Sequence, residues 1–251
     1  MRREKEAPPK KRPPAYYWWT LANVLALCLA VISWLMCLHV FQHPEIPRNY
    51  EILRQLGRIE APVPLDEMEA PPGEAADPRS FYRRYAGLPQ EQLATFNAAL
   101  MRNYLLNLKE PKLIQYGEGN YRVLQVRPLG PDDLFHPGFA VKAQAMVAPD
   151  QFSEPAPWPV TIEYLFPTSD PTAPGTIAPG DSFSISKFPN CAALLHVAQV
   201  EAGDTPGVLL TLVPVAFGDF KASQGRQFAL KAPTALNPAA ALPVFPIDAE
   251  R

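Results

Sequence analysis

The sequence predicts a mainly β protein. It comprises a single N-terminal transmembrane helix, a Pro-rich linker, one α-helix and then an extracytoplasmic seven-stranded antiparallel β-sandwich of immunoglobulin-like architecture. Three observations lead to this fold class: a long uncharged apolar stretch near the N-terminus, alternating apolar and polar residues in the second half, and 31 prolines. Proline makes up about 12% of the chain against roughly 5% in average proteins, which argues against a mostly helical fold.

The apolar stretch runs from Leu21 to Val40, inside a segment from Pro13 to Pro44 that contains no Asp, Glu, Lys or Arg. Twenty helical residues span about 30 Å, the thickness of the hydrocarbon core of a bilayer. We therefore predict a transmembrane anchor over residues 16–43. Four aromatic residues at its start are expected to lie among the lipid headgroups as interfacial anchors: Tyr16, Tyr17, Trp18 and Trp19.

Charge predicts the orientation of this anchor. Residues 1–15 form a basic tail with six basic and two acidic residues, a net charge of +4. Of the 23 Lys and Arg and 25 Asp and Glu residues in the whole chain, this leaves 17 and 23 for the rest, a net charge of −6. The tail is therefore expected in the cytoplasm and the C-terminal domain outside it, in the periplasm if the membrane is a bacterial inner membrane. A cleaved signal peptide is the alternative, but the apolar run is too long and no Ala-x-Ala site follows it.

Small residues recur along one face of the predicted anchor. They are Ala22, Ala26, Ala30, Ser33 and Cys37, with Asn23 beside them. Because lipid provides no hydrophobic drive between helices, association depends on the close backbone approach that small side chains allow, and a buried amide seeks a hydrogen bond. The stripe predicts helix packing within the membrane, with a second copy or another protein. Chance is the alternative, since alanine is common in anchors.

Between the anchor and the globular domain, two segments are expected. Residues 44–59 contain an amphipathic helix from Arg48 to Ile59, which lies either on the outer leaflet or on protein. Residues 60–79 hold five prolines and several acids but few large apolar residues, so we predict a Pro-rich acidic linker.

Residues 80–231 form the predicted globular domain. Its helix runs from Leu88 to Glu110 and is expected to close one edge or end of the β-structure. Seven strands are predicted from alternation and turn signals: Tyr121–Arg127, Phe139–Val147, Val160–Phe166, Phe183–Ile185, Ala193–Val200, Gly207–Phe217 and Gln227–Lys231. The sixth is apolar on both faces, so we expect it to be central and covered on each side. A Pro/Ala-rich tail without regular structure follows over residues 232–251.

Catalytic and metal-binding motifs are absent from the sequence, which contains four weaker candidate clusters. Asn190, Cys191 and His196 suggest a thiol and a base, but side chains five residues apart on a strand face opposite ways. Asp132, Asp133 and His136 suggest a cation site, although the surrounding prolines and glycine favour a polar turn.

The other two clusters are similarly weak. His39 and His43 are spaced to share a metal or haem, yet interfacial histidines without a function are more common. The segment from Phe81 to Tyr85 mixes aromatic and basic residues and is interpreted as a docking edge rather than a nucleic-acid site. We therefore predict no catalytic residue, no metal, no cofactor and no nucleic acid.

The overall plan favours a non-catalytic, membrane-anchored interaction or scaffold subunit of a cell-envelope complex. Tethering would hold the β-domain near the membrane, so that weak contacts with neighbouring proteins suffice. The small-residue stripe and the LPVFPID segment of the tail, which could add to a sheet edge, are the candidate contacts. The alternative is an extracytoplasmic module that binds or delivers a ligand or metal. Cys191 is the only cysteine outside the apolar stretch, so no disulfide within the outer domain is expected.

Overall fold

The computed structural model describes residues 15–59, 73–150, 152–186, 191–202, 205–222, 225–233 and 235–246. The chain divides into two compact units, residues 1–42 and 43–251. The first unit contains the helix α1 (Ala15–Gln42). Its segment Tyr16–Gln42 is long and apolar enough to cross a membrane, and none of its most apolar window is buried by protein. Of the predicted basic tail, residues 1–14 lie outside the described part of the chain.

The second unit begins with α2 (Pro47–Gln55), which starts with a proline in its first turn. Leu53 on this helix is fully buried and Tyr50 is 7% exposed. Lys109 donates a hydrogen bond to the carbonyl oxygen of Arg58, just after α2, at 3.4 Å. Of the two alternatives left open by the sequence, the structure shows this helix packed on its own domain.

Part of the predicted linker is structured. Glu74–Ala76 form strand β1, and Pro78–Tyr85 form the helix α3. The side chain of Asp77 caps α3 by accepting a hydrogen bond from the Ser80 N–H at 2.8 Å, with Pro78 in the first turn. Residues 60–72 of the predicted linker lie outside the described residues.

Nine further strands and one long helix complete the second unit. The helix is α4 (Gln90–Leu105). The strands are β2 (Gln115–Gly117), β3 (Gly119–Pro128), β4 (Gly138–Val147), β5 (Ala156–Pro167), β6 (Ser182–Ile185), β7 (Ala192–Ala202), β8 (Thr205–Pro214), β9 (Asp219–Lys221) and β10 (Gln227–Ala229). Short 3-10 helices cover Pro111–Leu113 and Ala173–Thr176.

Eight of the ten described strands form one large curled sheet in the order β1-β2-β7-β8-β5-β4-β3-β6, and β9 and β10 form a separate hairpin. The mainly β composition is consistent with the sequence prediction, but the seven-stranded immunoglobulin-like sandwich is not confirmed. The prediction that the seven strands are all antiparallel is wrong for one pair, because β5 pairs with β8 in parallel. The unpredicted strands β1 and β2 also pair in parallel. Parallel pairing joins strands distant in sequence, and local alternation carries no signal for it.

The sheet is covered on both faces. Its first face, which carries Val141, Ile162 and Leu210, packs against α3, α4 and the β9–β10 hairpin in the main core. Aromatic rings fill part of this core, with Phe139 stacked on Phe166 at a centroid distance of 4.9 Å. Strand β8 is central and buried over Gly207–Pro214, which confirms the prediction made from its apolar sequence.

Helix α4 packs along β7, on the side where β2 pairs with this strand at Ala193 and leaves the backbone of Val197 open. The side-chain amide of Asn97 donates to the carbonyl oxygen of Val197 at 2.8 Å, and its oxygen accepts from the Val197 N–H at 2.9 Å. One side chain thus satisfies both edge groups of a strand residue, as a neighbouring strand would. The expectation that this helix closes an edge is confirmed. It ends at Leu105, before two residues with left-handed backbone, Asn107 and Leu108.

Candidate functional site

The second face of the sheet carries a continuous row of polar side chains across five adjacent strands. Gln125 on β3 lies opposite Lys142 on β4, and Lys142 lies opposite Glu163 on β5. Glu163 pairs with Thr211 on β8, and Thr211 lies opposite His196 on β7. We call these five residues the polar row. Side chains directly opposite each other lie on the same face of a sheet about 5 Å apart, so each member neighbours the next.

Two β-bulges create this row. The register shifts between Val123 and Gln125 on β3, and again between Leu194 and His196 on β7. Residues two apart in a regular strand share a face, but Val123 and Leu194 belong to the first-face core. The extra residue in each bulge therefore turns Gln125 and His196 to the second face. Local alternation carries no signal for either bulge, so these residues could not be placed together from the pattern alone.

Glu163 is the buried centre of the row, with no exposed surface. Its Oε1 accepts the Thr211 hydroxyl at 2.5 Å, and its carboxylate accepts the backbone N–H groups of Val244 at 2.8 Å and of Phe245 at 3.0 Å. Burial raises the pKa of Glu163, and the hydrogen bonds from Thr211, Phe245 and Val244 oppose this increase. No described residue forms an ion pair with it.

Residues 236–246, which we call the C-terminal strap, lie over this face. Phe245 is 1% exposed and packs in a hydrophobic cluster that is separate from the main core. Other members of this cluster come from the sheet, from α4 and from the loop between β3 and β4: Tyr104, Leu129, Leu134, Phe135, Ala140, Leu165, Leu195 and Val213. The strap has no regular secondary structure, as predicted. Within this chain Leu242–Pro246 lie on the sheet face rather than at an edge, and the addition of LPVFPID to the sheet of a neighbouring protein stays a prediction.

The two prolines of the strap limit which of its backbone groups can donate hydrogen bonds. Pro243 and Pro246 have no N–H group to donate to a strand ladder. Between them, Val244 and Phe245 supply two successive N–H groups, and Glu163 accepts both. Successive backbone N–H groups directed at one anion form a concave binding site for negative charge.

Arg127 and Asp133 hold the other side of the strap. Arg127 donates to the carbonyl oxygen of Val244 at 3.2 Å, and its guanidinium carbon lies 5.7 Å from the ring centroid of Phe245. Asp133 accepts two hydrogen bonds from Arg127, at 2.7 and 3.1 Å, and one from the Gly130 N–H at 2.7 Å. Burial alone would raise the pKa of Asp133, but these bonds lower it below its usual value. Asp133 therefore holds Arg127 in the position from which it binds the strap.

His196 ends the polar row at β7. Its Nδ1 is buried and has no hydrogen-bond partner among the described residues. Desolvation lowers its pKa from 6.5 to about 4, so the imidazole is neutral at pH 7. Cys191 lies just before β7 and packs in a separate buried cluster with Ile114, Tyr116 and Ala193. His196 is not part of that cluster, so the structure does not join the two side chains as a nucleophile and base pair. Asn190 lies outside the described residues.

The remaining predicted polar clusters serve the fold. His136 bonds through Nδ1 to the carbonyl oxygen of Leu129 at 2.8 Å, and the carbonyl of Asp132 accepts from Asn237 of the strap at 3.1 Å. His43 bonds to Glu45 at 2.8 Å, and His39 lies on α1. Among the described residues, no group of three or more His, Cys, Asp and Glu side chains is arranged to hold a metal ion.

The interpretation of Phe81–Tyr85 as a docking edge is wrong for its two core residues. Phe81 and Tyr85 are buried in the main core. Arg84 forms a bidentate ion pair with Glu74, at 2.9 and 2.5 Å, which joins α3 to β1. The alternation of aromatic and basic residues here is the two-sided pattern of an amphipathic helix.

The predicted membrane contacts all lie on α1. Ala22, Asn23, Ala26, Ala30 and Ser33 fall within about 100° of arc at 3.6 residues per turn, and all of them are exposed in the structure. The aromatic residues at the start of the helix, Tyr16, Tyr17, Trp18 and Trp19, are also exposed, by 51 to 73%. None of the most apolar window of this helix is buried.

The chain matches no protein-family model, no curated protein and no solved structure. Sequence reasoning placed Glu163 and Thr211 in strands but missed their role. The available signal was that Glu163 is the only charged residue in the strand from Val160 to Phe166. The strap gave a second signal, an aromatic residue between two prolines.

Proposed function

We propose that the protein is a non-catalytic, single-pass membrane protein that serves as an interaction or scaffold subunit of a cell-envelope complex. The observation that carries the proposal is the apolar helix Tyr16–Gln42, which has none of its most apolar window buried and continues directly into a folded β-rich domain. An apolar surface of this length requires lipid or other helices to cover it. In this proposal the basic tail lies in the cytoplasm and the β-rich domain in the periplasm.

The connection between the two units supports action by tethering. Only residues 43–46 separate α1 from α2, and α2 packs on the domain through the fully buried Leu53. Four residues span at most about 14 Å, so the tether in this proposal is this short connection rather than the linker predicted over residues 60–79. A short tether raises the effective concentration of the domain for membrane neighbours.

The experiment is affinity purification of the full-length protein from gently solubilised membranes, followed by mass spectrometry. An N-terminal tag leaves the C-terminal strap unmodified. Stoichiometric co-purifying proteins are the expected result, and recovery of the protein alone would contradict the scaffold function.

A matched pair of variants tests the contribution of α1. The double substitution Ala26→Ile and Ala30→Ile adds bulk within the stripe and should reduce recovery of partners that bind through the membrane. The control, Val24→Ile and Val31→Ile, adds a methylene group at each of two positions on the opposite face and should leave recovery unchanged. Equal recovery from both would remove the stripe from the proposal.

A further inference from the structure

We propose that the groove on the second face of the sheet is a peptide-binding site. The chain's own C-terminal strap occupies it as a releasable ligand, and the occupant that replaces this strap is the strap of a second copy of the protein. The proposal rests on the proposed function in one respect only, which is that an anchor brings copies together in one membrane.

The groove recognises the strap mainly through its backbone. Glu163 accepts the N–H groups of Val244 and Phe245, while Arg127 donates to the Val244 carbonyl. The carbonyl of Leu134 accepts the N–H of Asn237 at 2.8 Å. Such contacts do not depend on which chain supplies the segment. Specificity comes from the buried ring of Phe245 and from the flanking prolines, so the ligand class is an extended segment with an aromatic residue between prolines.

The polar row supplies Glu163 with an ion-pair partner when the strap has left the groove. Lys142 lies directly opposite Glu163 on β4, within reach of its carboxylate, and is half-buried. When the strap leaves, Glu163 regains water and can pair with this ammonium group. A position that is permanently part of a core gains little from a buried carboxylate, because apolar residues of similar volume stabilise such positions equally well or better. The carboxylate fits a groove that is alternately filled and open.

The strap is also attached in a way that permits exchange. The last backbone hydrogen bond before it joins the Lys231 N–H to the Pro167 carbonyl at 3.0 Å. Among residues 232–235, those that the structure describes make no hydrogen bond to the domain, and Ala232 and Ala235 are exposed. Exchange of an identical element between copies is a low-cost route to a dimer, and a weakly held segment before that element favours it. The neighbour that carries the same strap and is confined to the same membrane is a second copy.

Release is tested on the unaltered full-length protein in detergent by hydrogen exchange. The amides of Val244 and Phe245 should exchange at least tenfold faster than those of Ile162 and Leu210 in the central strands, since opening of the strap leaves the sheet intact. Exchange of both pairs at one common rate would show that the strap opens only with global unfolding, and it would overturn the proposal. This measurement requires no variant to fold.

Ligand binding is tested with a fluorescent peptide of residues 236–246. It should bind the Phe245→Ala protein, whose own strap is weakened, at least tenfold more tightly than the unaltered protein. Phe152→Ala is the matched control because Phe152 is 97% exposed, and it should bind as the unaltered protein does. A peptide methylated on the nitrogen of Phe245 should lose at least tenfold in affinity, since it cannot donate to Glu163. Failure of the unmodified peptide to bind the Phe245→Ala protein would overturn the binding site.

Exchange between copies is tested by mixing two differently tagged proteins before reconstitution in vesicles. One carries Glu163→Ala with an intact strap, and the other carries Phe245→Ala with an intact groove. This pair should co-purify at least tenfold better than a pair in which both copies carry both substitutions, a control that retains any association through α1. Equal recovery would overturn the second copy as occupant. Absence of cellular partners would refute the scaffold function without changing any of these results.

Discussion

The unpaired imidazole of His196 leads to a quantitative prediction about acid sensitivity. Its pKa is about 4 in the folded protein against 6.5 in the unfolded chain. Between these two values the unfolded state binds more protons, so the free energy of unfolding falls as the pH falls. At pH 5 the linkage relation gives a loss of about 2 kcal/mol relative to pH 7, at 1.36 kcal/mol per pKa unit. His196→Gln, which carries no titrating group, should lack this component.

The assay is denaturant unfolding of the full-length protein in detergent at pH 7 and pH 5, for the unaltered chain and for His196→Gln. Glu163 has the opposite sign, because its raised pKa makes the folded state gain stability as the pH falls through the raised value. Comparing the two proteins removes this shared contribution and leaves the effect of the imidazole. The pH-dependent loss should be smaller in the variant by about 2 kcal/mol. Equal losses in both proteins would refute the reasoning that burial keeps His196 neutral.

Two other predictions follow from single side chains. Asn97→Ala leaves the N–H and carbonyl groups of Val197 without their partner and should lower the free energy of unfolding by about 2 kcal/mol. The control Thr95→Ala, on the same helix, should change the free energy of unfolding by less than about 0.5 kcal/mol. Similar losses in both variants would contradict the edge-closing role of Asn97. In spheroplasts, a membrane-impermeant maleimide should label Phe152→Cys from outside and Arg3→Cys only after lysis, while the buried Cys191 stays unmodified. The reverse labelling pattern would contradict the proposed orientation.

Local sequence pattern predicted most of the individual elements. Alternation located β4 within one residue, because a half-buried strand shows its period in the residue types. The hairpin of β7 and β8 was also correct, since turn residues separate two apolar runs. Helix α3 was missed because an acidic, proline-rich neighbourhood concealed its start signal, Asp77 followed by Pro78. Strand order was beyond such reasoning, because pairing between distant strands depends on the whole sheet.

The candidate site was harder to predict than the fold. Alternation in Val160–Phe166 places Glu163 on the face opposite Ile162 and Tyr164, and an isolated carboxylate on such a face is normally exposed to solvent. Only the strand order and two bulges reveal that this face is covered and that Lys142, Thr211 and His196 are its neighbours. Similarly, the Pro/Ala composition of the tail correctly indicated an absence of regular structure. It could not indicate burial, because Phe245 contributes one aromatic ring to a segment that is otherwise poor in large residues.

The parallel pairing of β5 with β8 has a consequence for the order of folding during synthesis. The β5 residues Val160–Tyr164 can pair with β4 as soon as both strands have been synthesised. Their partner on the other side, β8, is complete only when Leu212 has been synthesised. Such a long loop must be closed before its contacts contribute, which slows folding relative to local hairpins. Until then β5 presents one unpaired, apolar edge. The nascent domain therefore passes through an aggregation-prone interval that ends when the β7–β8 hairpin docks.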